Sequence, residues 1–119
     1  MGCTVIVGGF WGDTGKGKVV SYLAVKDKVS VCARGGVGPN AGHTVVTKGN
    51  EYRLRMVPCA FTYEKARLLI GPGVVVSPEI VLKEVAELGV SKRFGIDRQT
   101  AIIEQKHIEI DSGGHLKTT

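Results

Sequence analysis

Residues 12–18 combine glycines, lysines and one carboxylate at the spacing of a phosphate-binding loop. Their sequence, Gly-Asp-Thr-Gly-Lys-Gly-Lys, matches the pattern G-x-x-x-x-G-K. Glycine N–H groups can approach phosphate oxygens closely because no Cβ intervenes, and Lys16 and Lys18 add positive charge. Val19 stands where such loops usually carry a Ser or Thr ligand for Mg²⁺, so another oxygen is needed, and Asp13 is the candidate. A flexible turn with solvated lysines is the alternative interpretation.

A second glycine-rich segment, residues 34–44, places a histidine where a loop enters a predicted strand. It reads Arg-Gly-Gly-Val-Gly-Pro-Asn-Ala-Gly-His-Thr. In that position His43 can donate a proton or a hydrogen bond to an oxyanion. Asn40 can read a base or hold the loop through an Asx turn. A lone histidine is more often a packed or surface residue, but the density of glycines before His43 favours a functional role.

Short apolar runs that end in glycine predict the strands that position these loops. Helical spacing predicts one helix leaving the first loop and a second between Ser77, as N-cap, and Gly89, with Pro78 at its first position. Alternating runs at 43–47 and 52–57 predict a hairpin with Gly49-Asn50 as its turn. Residues 3–7 and 68–70 are predicted to be buried strands, residues 29–33 and 101–103 are further strand candidates, and the tail from residue 112 onward has little core potential.

Strands that alternate with helices predict an α/β fold, which we expect to form one domain over residues 1–119. We expect a mostly parallel sheet with flanking helices, a P-loop-like phosphate loop and the attached β-hairpin. Ligands of such sheets bind beyond the carboxyl ends of the strands. Both glycine-rich loops follow predicted strands, so Asp13 and His43 should face a common cleft.

Composition and charge exclude several classes of protein. The net charge of +5 comes from scattered lysines and arginines without interleaved aromatics, so no nucleic-acid partner is expected. No apolar run reaches the roughly 20 residues of a membrane span, and no signal peptide is evident, which predicts a cytoplasmic protein without membrane contact. The thiols Cys3, Cys32 and Cys59 lie among apolar residues and are expected to be buried and reduced.

Taken together, the two glycine-rich segments resemble the adenylosuccinate synthetase family. Residues 8–18 fit its signature G-G-x-W-G-D-x-G-K-G-K, and residues 40–44, Asn-Ala-Gly-His-Thr, fit its second motif at the expected distance. Residues 69–79 look like the family's next block, so the resemblance covers nearly the whole chain. The amino-acid sequence of residues 34–38 and 101–107 is most similar to that of the shorter archaeal branch.

The resemblance implies a ligase of AMP biosynthesis, a homodimer that joins IMP to L-aspartate with GTP and Mg²⁺. Asp13 would take the N1 proton of IMP and bind Mg²⁺ together with the Gly42 carbonyl, and His43 would act as general acid. The implied GTP-binding residues are Gly12, Asp13, Thr14, Gly15, Lys16, Gly17, Lys18, Gly42, His43 and Thr44. The implied IMP-binding residues are Asp13, Thr14, Gly15, Lys16, Asn40, Ala41, Gly42 and His43.

The chain departs from the family pattern in two residues and in length. Phe10 replaces the usual Gln, and Thr14 replaces the usual Glu, which removes a negative charge beside the phosphates. The sequence stops before the family's next IMP-binding loop, its guanine-recognition motif and its aspartate-binding loop. We therefore expect these 119 residues alone to make no adenylosuccinate. The alternative is a catalytically inactive nucleotide- or phosphate-binding module derived from the family.

Overall fold

A computed structural model describes residues 2–36 and 38–113. The helices are α1 (Lys16–Lys26), α2 (Pro78–Leu88) and α3 (Gln105–Gly113), with 3₁₀ segments at Cys59–Thr62 and Ser91–Arg93. The strands are β1 (Val31–Arg34), β2 (His43–Thr47), β3 (Asn50–Leu54), β4 (Arg67–Ile70), β5 (Val75–Val76), β6 (Phe94–Ile96) and β7 (Ala101–Ile102). No helix in this part of the chain is long and apolar enough to cross a membrane.

The sheet is parallel, as predicted, and the hairpin forms a separate two-stranded sheet that packs against α1. Strands β1, β4 and β6 form a three-stranded sheet in that order, and β5 pairs with β7, all in parallel. Strands β2 and β3 form the antiparallel hairpin. Helix α1 begins directly after the first glycine-rich loop, with Gly15 in the left-handed conformation as its N-cap (φ 71°). The predicted α/β class with a phosphate-loop-like turn is therefore confirmed.

The hairpin turn lies one residue earlier than predicted. Lys48 (φ 49°) and Gly49 (φ 78°) both adopt positive φ, and Asn50 is already the first residue of β3. Two central residues with positive φ are the requirement of a type I′ turn, whose twist matches that of the flanking strands. The prediction that Gly49-Asn50 forms the turn is therefore wrong. The twist of the strands favours a type I′ turn, and Lys48 and Gly49 are the two residues that adopt the positive φ angles this turn requires.

Two clusters of buried side chains form the core. The first packs α1 against the hairpin and the Cys59–Thr62 segment, around Ala24, Val45 and Ala60. The second lies beneath α2, around Ile70 and Val81. The predicted start and stop of α2 are confirmed, with Pro78 at its beginning and Gly89 as a left-handed C-cap (φ 63°).

The predicted buried strand at residues 3–7 is wrong. Val5 and Val7 are 77% and 79% exposed, Cys3 is exposed as well, and the segment has no strand assignment. A strand needs backbone hydrogen bonds from a neighbouring strand, and that neighbour is determined by the fold and not by the five residues themselves. Within the described residues β1 pairs only with β4, so its other edge is unpaired and residues 3–7 do not join the sheet there.

Helix α3 was not predicted, because its exposed residues give little helical periodicity. The prediction for the tail, residues 112–119, concerns residues that lie mostly outside those described; Ser112 belongs to the last turn of α3.

Candidate functional site

The Lys16 ammonium folds back over the first glycine-rich loop. Its Nζ donates a hydrogen bond to Thr14 Oγ1 at 2.8 Å, and a Cβ at Gly8 would lie only 2.7 Å from that Nζ. Positive charge is thereby held between the two ends of the loop. The first turn of α1 contains no acidic residue, so its unpaired N–H groups add to the same positive potential. This arrangement favours an anion at the loop.

Gly17 is the point at which the two glycine-rich segments come into contact. A Cβ on this buried residue would lie 2.9 Å from His43 Cβ and 3.2 Å from Cys59 Sγ. Real Cβ atoms do not approach so closely, so α1 can pack directly on the start of β2 only because residue 17 is glycine. The two loops are far apart in sequence but meet in the structure, because His43 lies beside the amino-terminal turn of α1.

A cavity of about 210 Å³ lies between α1, the end of β1 and the start of β2. Its basic lining residues are Lys16, Arg34 and His43. The remaining lining residues are small or apolar: Ile6, Gly17, Val20, Cys32, Ala33, Gly35, Gly36, Ala41, Pro58 and Cys59. The volume is below the roughly 300 Å³ at which small-molecule pockets usually begin.

Four of the predicted site residues contribute to this cavity: Lys16, Gly17, Ala41 and His43. The others are exposed and lie outside its wall: Gly12, Asp13, Thr14, Gly15, Lys18, Asn40, Gly42 and Thr44. The first loop and His43 thus meet through Lys16 and Gly17. A common cleft for Asp13 and His43 stays a prediction.

Burial and nearby cations act on the side chains of the cavity. Partial burial lowers the pKa of His43, and Arg34 and Lys16 lower it further, while Glu84 opposes them. The imidazole is therefore neutral near pH 7, a form that donates a hydrogen bond to an oxyanion from its one N–H. Burial raises the pKa of Cys59 to about 12, which makes this thiol a packing residue and not a nucleophile.

Asp13 provides oxygen ligands on an open part of the first loop. It adopts positive φ (46°), a conformation that aspartate tolerates better than most residues. Among the described residues, no hydrogen bond or ion pair engages its carboxylate, and no group of three or more His, Cys, Asp or Glu side chains could hold a metal ion. A cation at this loop would therefore take one carboxylate and backbone carbonyls, which are the hard oxygen donors that Mg²⁺ prefers.

Sequence reasoning missed three side chains that hold the site. Arg34 and Arg55 donate to carbonyl groups of the second glycine-rich loop, and Glu84 is a buried carboxylate on α2. Spacing could have identified Glu84, because it falls four residues after Ile80 and three after Val81, within the apolar stripe of α2. Arg34 and Arg55 carry no such signal, since their acceptors are backbone atoms.

Comparisons with known proteins agree on one family. The family model described as adenylosuccinate synthetase matches residues 5–117. The adenylosuccinate synthetase of Archaeoglobus fulgidus is 58% identical over 117 residues, which are 98% of this chain and 35% of that protein. That of Methanocaldococcus jannaschii is 55% identical over 112 residues, 92% of this chain and 32% of that protein. The chain thus spans about a third of the length of these relatives.

Two solved structures share the fold. The fully ligated adenylosuccinate synthetase of Plasmodium falciparum superposes with a TM-score of 0.79 at 29% identity, covering 86% of this chain and 24% of that one. The succinoaminodeoxyadenylate synthetase of cyanophage S-2L, bound to dGMP and dATP, gives a TM-score of 0.75 at 30% identity, covering 89% of this chain and 31% of that one.

Proposed function

The chain belongs to the adenylosuccinate synthetase family, and on that basis we propose that it supplies the phosphate-binding and proton-transfer residues for GTP-dependent joining of IMP to L-aspartate. The observation that carries this proposal is the meeting of Lys16, Gly17 and His43 at one cavity beside the first turn of α1. Phosphoryl transfer depends mainly on positioning and charge neutralisation, and these residues offer both.

The proposed reaction has two steps. The Asp13 carboxylate accepts the N1 proton of IMP, the 6-oxygen attacks the γ-phosphorus of GTP, and the bond from that phosphorus to GDP breaks. The amino group of L-aspartate then attacks C6, the C6–O bond breaks so that phosphate leaves, and the attacking nitrogen loses a proton. Lys16 and the first turn of α1 hold the phosphates, and His43 donates a hydrogen bond to the developing negative charge. Asn40 and Ala41 on the second loop contact IMP.

Asp13 and the Gly42 carbonyl fit a Mg²⁺ ion by donor chemistry, since both offer hard oxygens on exposed loops. When bound, the ion would neutralise charge on the phosphates. A homodimer, which the family resemblance implies, is tested by sedimentation equilibrium.

The same cavity also supports the alternative, a phosphate-binding module without turnover. Its volume of about 210 Å³ and largely apolar wall favour a partial subsite over a complete pocket for two nucleotides and an amino acid. Both functions require phosphate binding at residues 12–18, and only the first requires turnover.

Calorimetry with GTP, and with inorganic triphosphate as a probe without guanine, tests the shared requirement. Lys16→Ala should weaken binding about tenfold or more, because a hydrogen bond between charged groups contributes about 1.5–3 kcal/mol. The matched control is Lys26→Ala, at the far end of the same helix. Equal affinities of the two variants would exclude the role of Lys16.

Turnover is then measured by ultraviolet absorbance with IMP, GTP, L-aspartate and Mg²⁺. We expect no product from the 119-residue chain alone. Product formation would show that the chain contains a complete site and would exclude the module.

A further inference from the structure

The second glycine-rich loop, residues 35–42, needs anchors that its own sequence does not provide. Four of its residues are glycine, and within the described residues the loop contains no helix or strand. Glycine has more backbone freedom than any other residue, so a loop of this composition is costly to order. His43, the first residue of β2, follows this loop directly.

Two arginines hold the loop by its backbone carbonyl groups. Arg34, the last residue of β1, donates from Nη2 to the Gly38 carbonyl at 3.0 Å and to the Ala41 carbonyl at a longer 3.4 Å. Arg55, just beyond β3, donates from Nε to the Pro39 carbonyl. Three carbonyl groups within four consecutive residues are thereby tied to two separate strands.

Burial of the Arg34 guanidinium has an energetic cost. It is partly buried, and its Nε is fully buried without a hydrogen-bond acceptor among the described residues. Unpaired buried donors are rare in native proteins, and each calls for a structural or functional reason. Both carbonyl groups accept from the same guanidinium nitrogen, Nη2, which lies one bond further from the backbone than the ammonium nitrogen of a lysine.

The fixed part of the loop also packs against the sheet. Gly38 is buried, and a Cβ there would lie 3.6 Å from the Val75 carbonyl oxygen and 3.7 Å from Val75 Cβ. The hydrogen bonds from Arg34 therefore hold this part of the loop against Val75 of β5. With Gly38 and Ala41 both held, the following His43 has little freedom to move away from α1.

We propose that Arg34 and Arg55 are positioning residues, which fix residues 38–41 through their carbonyl groups and so hold Ala41 and His43 at the cavity. The role assigned to Ala41 and His43 rests on the proposed function, whereas the holding of the loop does not. Neither arginine needs to touch a substrate for this role.

Backbone ¹⁵N relaxation of the ligand-free chain tests the holding directly. In the parent chain the amides of residues 38 and 40–42 should have order parameters near the rigid value of about 0.85, and in Arg34→Lys and Arg55→Gln they should fall toward about 0.6. Amides of β4 should be unchanged. The matched control is Arg53→Gln, since Arg53 is also on the hairpin but pairs with Glu51 at 2.7 Å. Arg55 is exposed, so its variant leaves the core intact even if the Arg34 variant fails to fold.

Calorimetry with inorganic triphosphate then tests the link to the site. We expect binding to weaken about tenfold in both loop variants and to be unchanged in Arg53→Gln. Unchanged order parameters in Arg55→Gln would overturn the proposal, and so would lower order parameters with unchanged triphosphate affinity. Failure of the parent chain to bind triphosphate would overturn the proposed function and, with it, the positioning role; the order parameters, measured without ligand, would still decide whether the arginines hold the loop.

Discussion

Removal of the Glu84 carboxylate should destabilise the protein more than any other single change on α2. Glu84 is 5% exposed and accepts three backbone hydrogen bonds. Arg55 N–H donates to Oε1 at 2.6 Å, and the Met56 and Val57 N–H groups donate to Oε2 at 3.0 and 2.8 Å. The segment that continues from β3 therefore has a side chain in place of a partner strand, which is why the predicted strand 52–57 ends at Leu54.

The magnitude follows from the donors that would lose their acceptor. In Glu84→Ala the Met56 and Val57 N–H groups, both buried, would be left unpaired, at about 1–3 kcal/mol each. We expect a loss of about 2–6 kcal/mol in the free energy of unfolding, a large part of the roughly 5–15 kcal/mol of a typical domain. Glu84→Gln keeps one oxygen but turns an NH₂ group toward a donor, so its loss should be about 1–3 kcal/mol.

Urea unfolding followed by circular dichroism measures both losses by linear extrapolation. The matched control is Glu87→Ala on the same helix, whose ion pair with Lys83 (3.9 Å) is exposed and should contribute at most about 0.5 kcal/mol. If Glu84→Ala and Glu87→Ala differ by less than about 0.5 kcal/mol, water or a rearranged backbone satisfies the N–H groups, and the reasoning is refuted.

Three further predictions concern close packing, a buried thiol and a helix end. Gly17→Ala should lower the free energy of unfolding by about 1–3 kcal/mol, because its Cβ would overlap His43 and Cys59. The contribution of Cys59 to the free energy of unfolding should be constant below pH 9 and fall by up to about 1.4 kcal/mol per pH unit between pH 9 and 12, because the thiol ionises near 9 when unfolded and at about 12 when folded; a Cys59→Ala variant that keeps the full decline would contradict this. Gly89→Ala should lose about 1 kcal/mol, because alanine disfavours φ 63°.

Gly9→Ala is the control for both glycine substitutions. A Cβ at Gly9 meets no atom within 4 Å, and its φ is not positive. Melting temperatures of Gly17→Ala and Gly89→Ala that match Gly9→Ala would show that neither close approach nor backbone strain acts at those positions.

Local signals were sufficient for helices α1 and α2 and for the existence of the hairpin, but not for α3 or for the position of the hairpin turn. Pro78 and Gly89 delimit α2 through backbone preferences that act within a few residues. The run Leu68-Leu69-Ile70 and the run Val5-Ile6-Val7 look equivalent in sequence, yet only the first forms a strand. The difference is that β4 has β1 and β6 on its two sides, a property of distant residues that composition does not encode.

The candidate site also combines features that the sequence predicted with features that it did not. Glycine and lysine spacing predicted the first loop and the helix that follows it, and phosphate binding by that loop stays a prediction. The contact between Gly17 and His43 was unpredictable from sequence, because it depends on how α1 packs on the hairpin. Arg34 and Arg55 were missed because their partners are carbonyl groups, which every residue carries.

The exposed Trp11 gives the first loop an intrinsic fluorescence signal. It is the chain's single tryptophan, it is fully exposed at 102%, and it precedes Gly12 directly. Indole emission shifts to shorter wavelength when solvent is removed from the ring, so any molecule that covers this loop changes a signal that arises from one known position. Fluorescence therefore reports occupancy of the loop without a label, and the change distinguishes a ligand that covers residues 10–12 from one that binds only inside the cavity.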